Sequence, residues 1–366
     1  MTRPVVLTGD VFRMQTRGGI TRVVIEIATR LRRPVVVPAG LHVSAELAAL
    51  GPRARWAVRI PSVPALRRLA TPVNALVDAF ALRGARGAIL HPTYYRDPRA
   101  LPRSAPVVVT VYDMIHERFP ELLPTRRRWW SRTDAASHKR ALCARADRIL
   151  CISRATRDDL VGMFGVPETR TRVTPLAGRD WTTIAPEPIP DMTTPFVMWI
   201  GERHGYKNFT RTCEAWATCP AAADTVLLLV GGGPLRVEER ALLARHGAGA
   251  RVRRLDPGDG ALRWAYEHAT VLLYTALWEG FGLPVLEALA LGCPVVASDV
   301  APLREVGGDQ VVYADPTRVD AIAAAIAVAL GSDRSAASVA RRAAHAARSS
   351  WDACAAATEA VYAELD

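Results

Sequence analysis

Short runs of aliphatic and β-branched residues recur through the first half of the chain at Val5–Leu7, Val35–Val37, Ala88–Leu90, Val107–Val111 and Ile149–Ile152, between longer stretches rich in arginine and alanine. Strand-length apolar runs alternating with helical stretches predict a parallel sheet. The alternation stops between Pro175 and Pro195, where prolines at 175, 186, 188, 190 and 195 leave little periodicity. Such composition predicts a linker. The pattern resumes at Phe196–Ile200, Val226–Val230, Arg251–Leu255, Val271–Tyr274, Pro294–Ala297 and Gln310–Tyr313. The chain is therefore expected to be α/β, with two doubly wound, Rossmann-like domains at residues 1–178 and 196–345 joined by a proline-rich hinge at 179–195. From Ala321 the chain reads as helix, and Trp351, Cys354, Ala355, Thr358, Val361 and Tyr362 fall on one face of its last segment. That face predicts a C-terminal helix, 346–366, packing back toward the first domain. Ligands of doubly wound sheets bind where strand C-termini meet helix N-termini, so the expected site is the cleft between the domains.

Composition narrows the class. Of 366 residues, 50% are hydrophobic and 23% charged, which excludes a disordered chain. No apolar run approaches the ~18 residues of a spanning helix, and the charge close to the N-terminus leaves no room for a signal peptide, so a cytoplasmic chain with reduced cysteines is expected. Six cysteines without a C-x-x-C pair and eight histidines without H-E-x-x-H or H-x-H give no metal site. The net charge of +11 is uneven. Up to Gly178 there are 30 basic and 13 acidic residues, a balance of +17, against 17 and 23 thereafter. A half so basic is suited to an anionic partner such as lipid head groups, a phosphorylated lipid or nucleic acid, although a solvated arginine-rich surface has the same charge. The densest cluster, Arg126, Arg127, Arg128, Trp129 and Trp130, matches an interfacial membrane patch in which indoles sit at head-group depth. Nucleic acid would use the same side chains, and an ordinary half-buried helix fits equally; membrane is favoured over nucleic acid.

Three glycine-containing segments carry candidate chemistry. Gly18 and Gly19 open a helix running to about Leu31, and Gly231-Gly232-Gly233 ends the Leu-Leu-Leu-Val strand. Glycines at such points let backbone N–H groups approach an anion, or simply make a turn. Neither segment is G-x-G-x-x-G with an acidic partner or a G-K-[ST] loop, which disfavours a nicotinamide enzyme or P-loop kinase. In the third, Glu279-Gly280-Phe281-Gly282-Leu283-Pro284-Val285-Leu286-Glu287, two carboxylates eight positions apart flank a glycine turn that becomes a helix. One carboxylate is suited to a sugar ring and the other to a ribose, although each alone also fits a solvated helix charge or a partner of the helix N-terminal dipole. Lys207 also stands out, because only it and Lys139 are lysines among 47 basic residues; a need for a compact ammonium and chance codon usage account for it equally.

At these residues the sequence resembles the family 4 retaining glycosyltransferases of the GT-B fold, whose signature is a pair of glutamates spanning G-F-G-L-P-x-x-E. The likeness extends over nearly the whole chain, through Gly18-Gly19, Cys151-Ile152-Ser153-Arg154 with Asp158-Asp159-Leu160, Gly201 to Asn208, and Leu229 to Gly233. The resemblance implies that Glu287 binds the nucleotide ribose, that Glu279 contacts the donor sugar, and that Arg203 and Lys207 hold the diphosphate. Gly18, Gly19, Gly232, Gly280, Phe281, Gly282 and Leu283 would then line the donor site, with Leu255 bordering the base. Val109 to Ile115 resembles a passage that reads His-Asp in many such enzymes; Tyr112 replaces the histidine, and Asp113 is kept to orient the acceptor or a sugar hydroxyl. His91 and His116 are further cleft candidates, with a structural role favoured for each. The expected activity is hexosyl transfer with retention, without metal or other cofactor, the leaving phosphate taking the acceptor proton. GDP-mannose or a related GDP-hexose is the favoured donor, and a lipid-linked or polysaccharide glycan at the inner face of the cytoplasmic membrane the favoured acceptor. A UDP- or dTDP-sugar enzyme, or a non-catalytic membrane-docked nucleotide-sugar or lipid-binding protein, remains as the alternative; no nucleic-acid partner is expected.

Overall fold

A computed structural model describes residues 2–122, 135–203 and 205–366. The Arg126–Trp130 cluster lies outside the described residues. Two compact units emerge. One runs to Leu176 and takes the final segment, Ser350–Asp366, while the other holds Ala177–Ser349 together with the short segment that begins at Phe119.

In the first unit, parallel strands lie in the order Ala54–Arg55, Val35–Pro38, Val5–Leu7, Ile89–His91. A bridge from Leu90 to Val107 brings up three more, Val108–Val111, Arg148–Cys151 and Thr171–Val173. Thr171–Val173 and the two-residue strands were not expected from the sequence. Val6, Leu90, Val109, Leu142, Ile149 and Leu160 fill the core behind this sheet. Helix Arg154–Phe164 starts at Ser153, whose Oγ accepts the Thr156 N–H at 3.0 Å, and stops at Gly165 in the left-handed conformation, φ +67°. Helix Gly19–Arg30 buries Val23, Val24, Ile27 and Ala28 and packs against the final helix, Trp351–Ala363. That helix buries Trp351, Cys354, Ala355, Thr358, Val361 and Tyr362. Arg33 secures it, donating to Glu359 at 2.6 Å and Asp366 at 3.2 Å with the guanidinium over the Tyr362 ring.

The second unit is a six-stranded parallel sheet in the order Val252–Leu255, Val226–Val230, Phe196–Ile200, Val271–Tyr274, Val295–Ser298, Val312–Ala314. Numbered along the chain this is 3-2-1-4-5-6, the dinucleotide-binding order. The direction of winding reverses between Phe196–Ile200 and Val271–Tyr274, which opens a crevice at their C-terminal ends. The proline-rich segment at 179–195, read from the sequence as a hinge, packs on the second unit. Trp181 is buried edge-on to Tyr266, its carbonyl accepts from Arg263 at 2.8 Å, and Glu187 N–H donates to Gly260 O at 3.0 Å. These contacts make it part of the second unit, with the division between Leu176 and Ala177. All six cysteines are free and buried.

Candidate active site

Both strands at the reversal end in segments that bend into the crevice. After Ile200 the chain passes through Gly201, φ +120°, and a turn at Gly205–Lys207 into helix Phe209–Thr218. Asn208 adopts a left-handed conformation there, φ +58°, and its Nδ2 donates to Thr275 O at 2.9 Å and Pro316 O at 2.7 Å. Leu277 N–H in turn donates to Tyr206 O at 2.7 Å. These bonds fix the two post-strand segments against each other, so that residues 72 positions apart meet: Lys207 Nζ donates to Glu279 Oε1 at 2.6 Å. Lys207 also lies near the faces of Tyr206 and Tyr274. Burial works against the ammonium, but Glu279, Tyr274 and Tyr206 outweigh it and raise its pKa well above the usual lysine value. Burial and the neighbouring Glu279 raise the Tyr274 phenol, which therefore stays protonated at neutral pH.

Beyond Glu279, Gly280 and Phe281 lead to Gly282, φ +112°, the cap of helix Leu283–Ala290. A side chain at Gly282 would meet Leu303 at 2.6 Å, so the turn demands glycine for both backbone and space. Glu287 sits on this helix, 4% exposed, and its Oε2 accepts from the Tyr266 hydroxyl at 3.2 Å. Burial and then Glu287 raise the Tyr266 phenol, so it remains a donor.

The glycine loop after Val226–Val230 forms the neighbouring wall. Gly231, Gly232 and Gly233 all have positive φ, 70–79°, and Gly231 N–H donates to Leu255 O at 3.0 Å. Leu255 thus lies beside the loop at the end of the edge strand. Arg203, expected on the diphosphate, is built into the wall. Its side chain is 1% exposed, and its guanidinium donates to Gly231 O at 3.0 Å and to Gly233 O and Pro234 O at 2.8 Å, with Glu239 3.3 Å from Nε. It braces three carbonyls of a loop that lacks regular hydrogen bonding. Lys207, Glu279, Gly280, Phe281, Gly282, Leu283, Glu287, Gly232 and Leu255 are thus all placed at the C-terminal edge of one sheet or on the helix that follows.

The remaining expected residues belong to the first unit. Gly18 caps helix Gly19–Arg30 at its N-terminus. Asp113 follows strand Val108–Val111; its Oδ1 accepts Ile115 N–H at 3.1 Å. The fully buried Lys139 ammonium donates to Asp113 O at 2.9 Å and Glu117 Oε2 at 2.7 Å. Tyr112 is buried, its hydroxyl donating to Thr93 O at 3.4 Å. His91 is enclosed between Tyr362 and Thr110, and His116 Nδ1 lies 4.0 Å from Asp113. Tyr266, Tyr274 and Glu239 were not singled out from the sequence, because each acts through a partner distant in the chain.

The glycosyltransferase family 4 model matches residues 17–177, and the model of glycosyl transferases group 1 matches residues 182–346. The O-antigen chain mannosyltransferase B of Escherichia coli is 31% identical over 76% of this chain and 74% of its own length. The chain belongs to the family 4 glycosyltransferases. Its fold is GT-B: the sucrose-phosphate synthase of Thermosynechococcus elongatus superposes with a TM-score of 0.71 at 20% identity over 99% of each chain. Anabaena HepE in complex with UDP and glucose gives 0.71 at 17% identity over 100% of this chain and 99% of its own.

A desolvated ammonium held charged by Glu279, and a loop of successive positive-φ glycines, are electrostatic groups fixed before the reaction starts. Among the described residues no cluster of three His, Cys, Asp or Glu side chains is arranged to hold a metal ion.

Proposed function

We propose that this glycosyltransferase moves a hexose, mannose from GDP-mannose in the first instance, onto a hydroxyl of a lipid-linked or polysaccharide glycan with retention at the anomeric carbon. The observation that carries the reading is the 2.6 Å pairing of Lys207 with Glu279 in the crevice at the sheet reversal. Support for mannose comes from the 31% identical O-antigen mannosyltransferase. In the proposed step the bond from C1 to the β-phosphate oxygen breaks with its electron pair passing to the phosphate. The acceptor oxygen bonds to C1 on the same face, and its proton goes to the departing phosphate oxygen. Lys207 and the glycine-loop N–H groups stabilise the charge that appears on the diphosphate; Glu279 orients the sugar, Glu287 the ribose, and Asp113 the acceptor hydroxyl. No metal or cofactor enters the step. A lipid-linked acceptor places the work at the inner face of the cytoplasmic membrane, where the +17 half suits anionic head groups.

A UDP-sugar is the second reading, favoured by the fold shared with HepE, which was solved with UDP and glucose. Calorimetric titration with GDP, UDP, dTDP and CMP, with and without magnesium, separates the two. Preferential binding of GDP without metal, followed by α-mannoside formation from GDP-α-mannose by NMR, is expected. Preference for UDP or dTDP overturns the donor, and a β-product overturns retention.

A further inference from the structure

Helix Pro64–Gly84 has two unlike faces. One is turned into the first unit. Asn74 exchanges two hydrogen bonds with the Leu41 backbone, at 2.8 and 3.0 Å, and Asp78 accepts from Arg13 at 2.8 and 3.0 Å and from Arg96 at 2.9 Å. The other face bears Leu66, Leu69, Val73, Leu76 and Phe80, spaced to form a single stripe on a helix. Leu69, Leu76 and Phe80 are 70, 72 and 69% exposed. Trp56, itself half exposed, stands edge-on to Phe80 with ring centroids 5.5 Å apart. Among the described residues, eight of the eleven exposed large apolar side chains lie between Trp56 and Phe80. Scattered exposed apolar residues are ordinary, whereas a contiguous stripe marks a surface that something covers.

Charge selects what covers it. From Arg53 to Arg86 the sequence holds seven arginines and one carboxylate, Asp78. That carboxylate is buried and engaged by Arg13 and Arg96, so the rim is positive. Arg68 and Arg83 on the helix, and Arg55 and Arg59 beside Trp56, are exposed. A second copy of the chain would set this rim against itself, whereas anionic lipid would neutralise it. An apolar stripe flanked by arginines, with an indole at its edge, suits a helix lying in the head-group boundary.

We propose that helix Pro64–Gly84, with Trp56, docks the first unit on an anionic lipid bilayer. Leu69, Leu76 and Phe80 enter the acyl boundary while Arg68 and Arg83 meet head-group phosphates. No helix among the described residues is long and apolar enough to cross a membrane, so the helix lies on the surface. The docking deepens the proposed function, since a lipid-linked acceptor would be met at that surface, but it does not depend on which nucleotide the enzyme uses.

The test is co-sedimentation of the full chain with phosphatidylcholine vesicles, with and without phosphatidylglycerol. Wild type is expected to bind the anionic vesicles more tightly and to release in high salt. Leu69→Asp with Leu76→Asp, and separately Arg68→Glu with Arg83→Glu, are expected to lower partitioning by about tenfold or more. Val328→Asp, at an exposed position on the second unit, should leave it unchanged. Nucleotide binding measured on the same variants should match wild type; its absence from every protein would remove the donor reading and leave the vesicle result standing. Equal binding to neutral and anionic vesicles, unimpaired binding by the Asp variant, or a wild-type dimer that the Asp variant converts to monomer would overturn the proposal.

Discussion

Lys207 and Glu279 form a charge pair whose members are each less than one-fifth exposed, joined at 2.6 Å across the reversal point of the second sheet. Removing either alone strands the other in a desolvated crevice. Glu279→Ala is therefore expected to destabilise the unit by about 3 kcal/mol, whereas Lys207→Met combined with Glu279→Leu should recover much of that loss in urea denaturation. Activity should not recover with it. Lys207→Ala is expected to lower kcat by about 10²- to 10³-fold. Because its neighbours raise Lys207 well above the ordinary lysine value, the rate should show no limb from its deprotonation up to pH 10.

Glu287 is expected to act on donor affinity more than on turnover. A carboxylate hydrogen bond is worth about 1.5–3 kcal/mol, so Glu287→Ala should weaken nucleotide binding roughly 10- to 100-fold by calorimetry. A nucleotide lacking the ribose hydroxyls should bind wild type correspondingly less well and lose little more in the variant. Equal penalties in both proteins would place the ribose elsewhere.

Arg203 and Gly232 should fail as structure before they fail as chemistry. Arg203→Met removes the guanidinium from three loop carbonyls and leaves Glu239 with Arg236, 3.7 Å away, as its cation, and should lower Tm. Gly232→Ala would bring a methyl to 2.6 Å from Arg203 Nη1 and 2.8 Å from Gly201 O at a φ of +71°, and should lower Tm as well. An Arg203→Met protein with unchanged Tm and lost diphosphate affinity would instead show a direct contact.

Burial pushes the His91 imidazole down to about 3, between Tyr362 at 2.5 Å and Thr110 at 2.9 Å. The unfolded chain takes up this proton near pH 6.5, while the folded chain refuses it until about pH 3. The stabilisation is therefore complete above pH 6.5 and is lost as the pH falls from 6.5 toward 3. Between pH 7 and pH 5 wild type should lose about 2 kcal/mol from this group, and His91→Asn should show a correspondingly shallower dependence in urea denaturation.

Much of the second unit was legible because its strands are buried on both faces and read as uninterrupted apolar runs: Val226–Val230, Val271–Tyr274 and Val295–Ser298 lie within a residue or so of their expected bounds. Thr171–Val173 was not, since a three-residue strand with a charged centre carries no periodic signal. The glycine loop and the Glu279–Glu287 segment were visible because few residue types satisfy positive φ. The bracing role of Arg203 was not legible, because a guanidinium suits carbonyls and a carboxylate as well as it suits a diphosphate, and its burial beside Glu239 appears only in the fold. The stripe on Pro64–Gly84 has regular spacing, but alanines, arginines and Pro72 dilute it in the sequence.

The strand that carries His91 and the helix that carries Tyr362 belong to one unit, yet Ala177–Ser349 lies between Leu176 and Ser350 in the chain. On the ribosome, that intervening stretch takes roughly 10–35 s to synthesise. Throughout that interval the nascent first unit holds out Arg33, His91 and the inner face of Gly19–Arg30 without the helix that closes them, a period in which chaperone engagement is favoured. The donor-binding unit has time to fold while the unit encoded first is still waiting for its last piece.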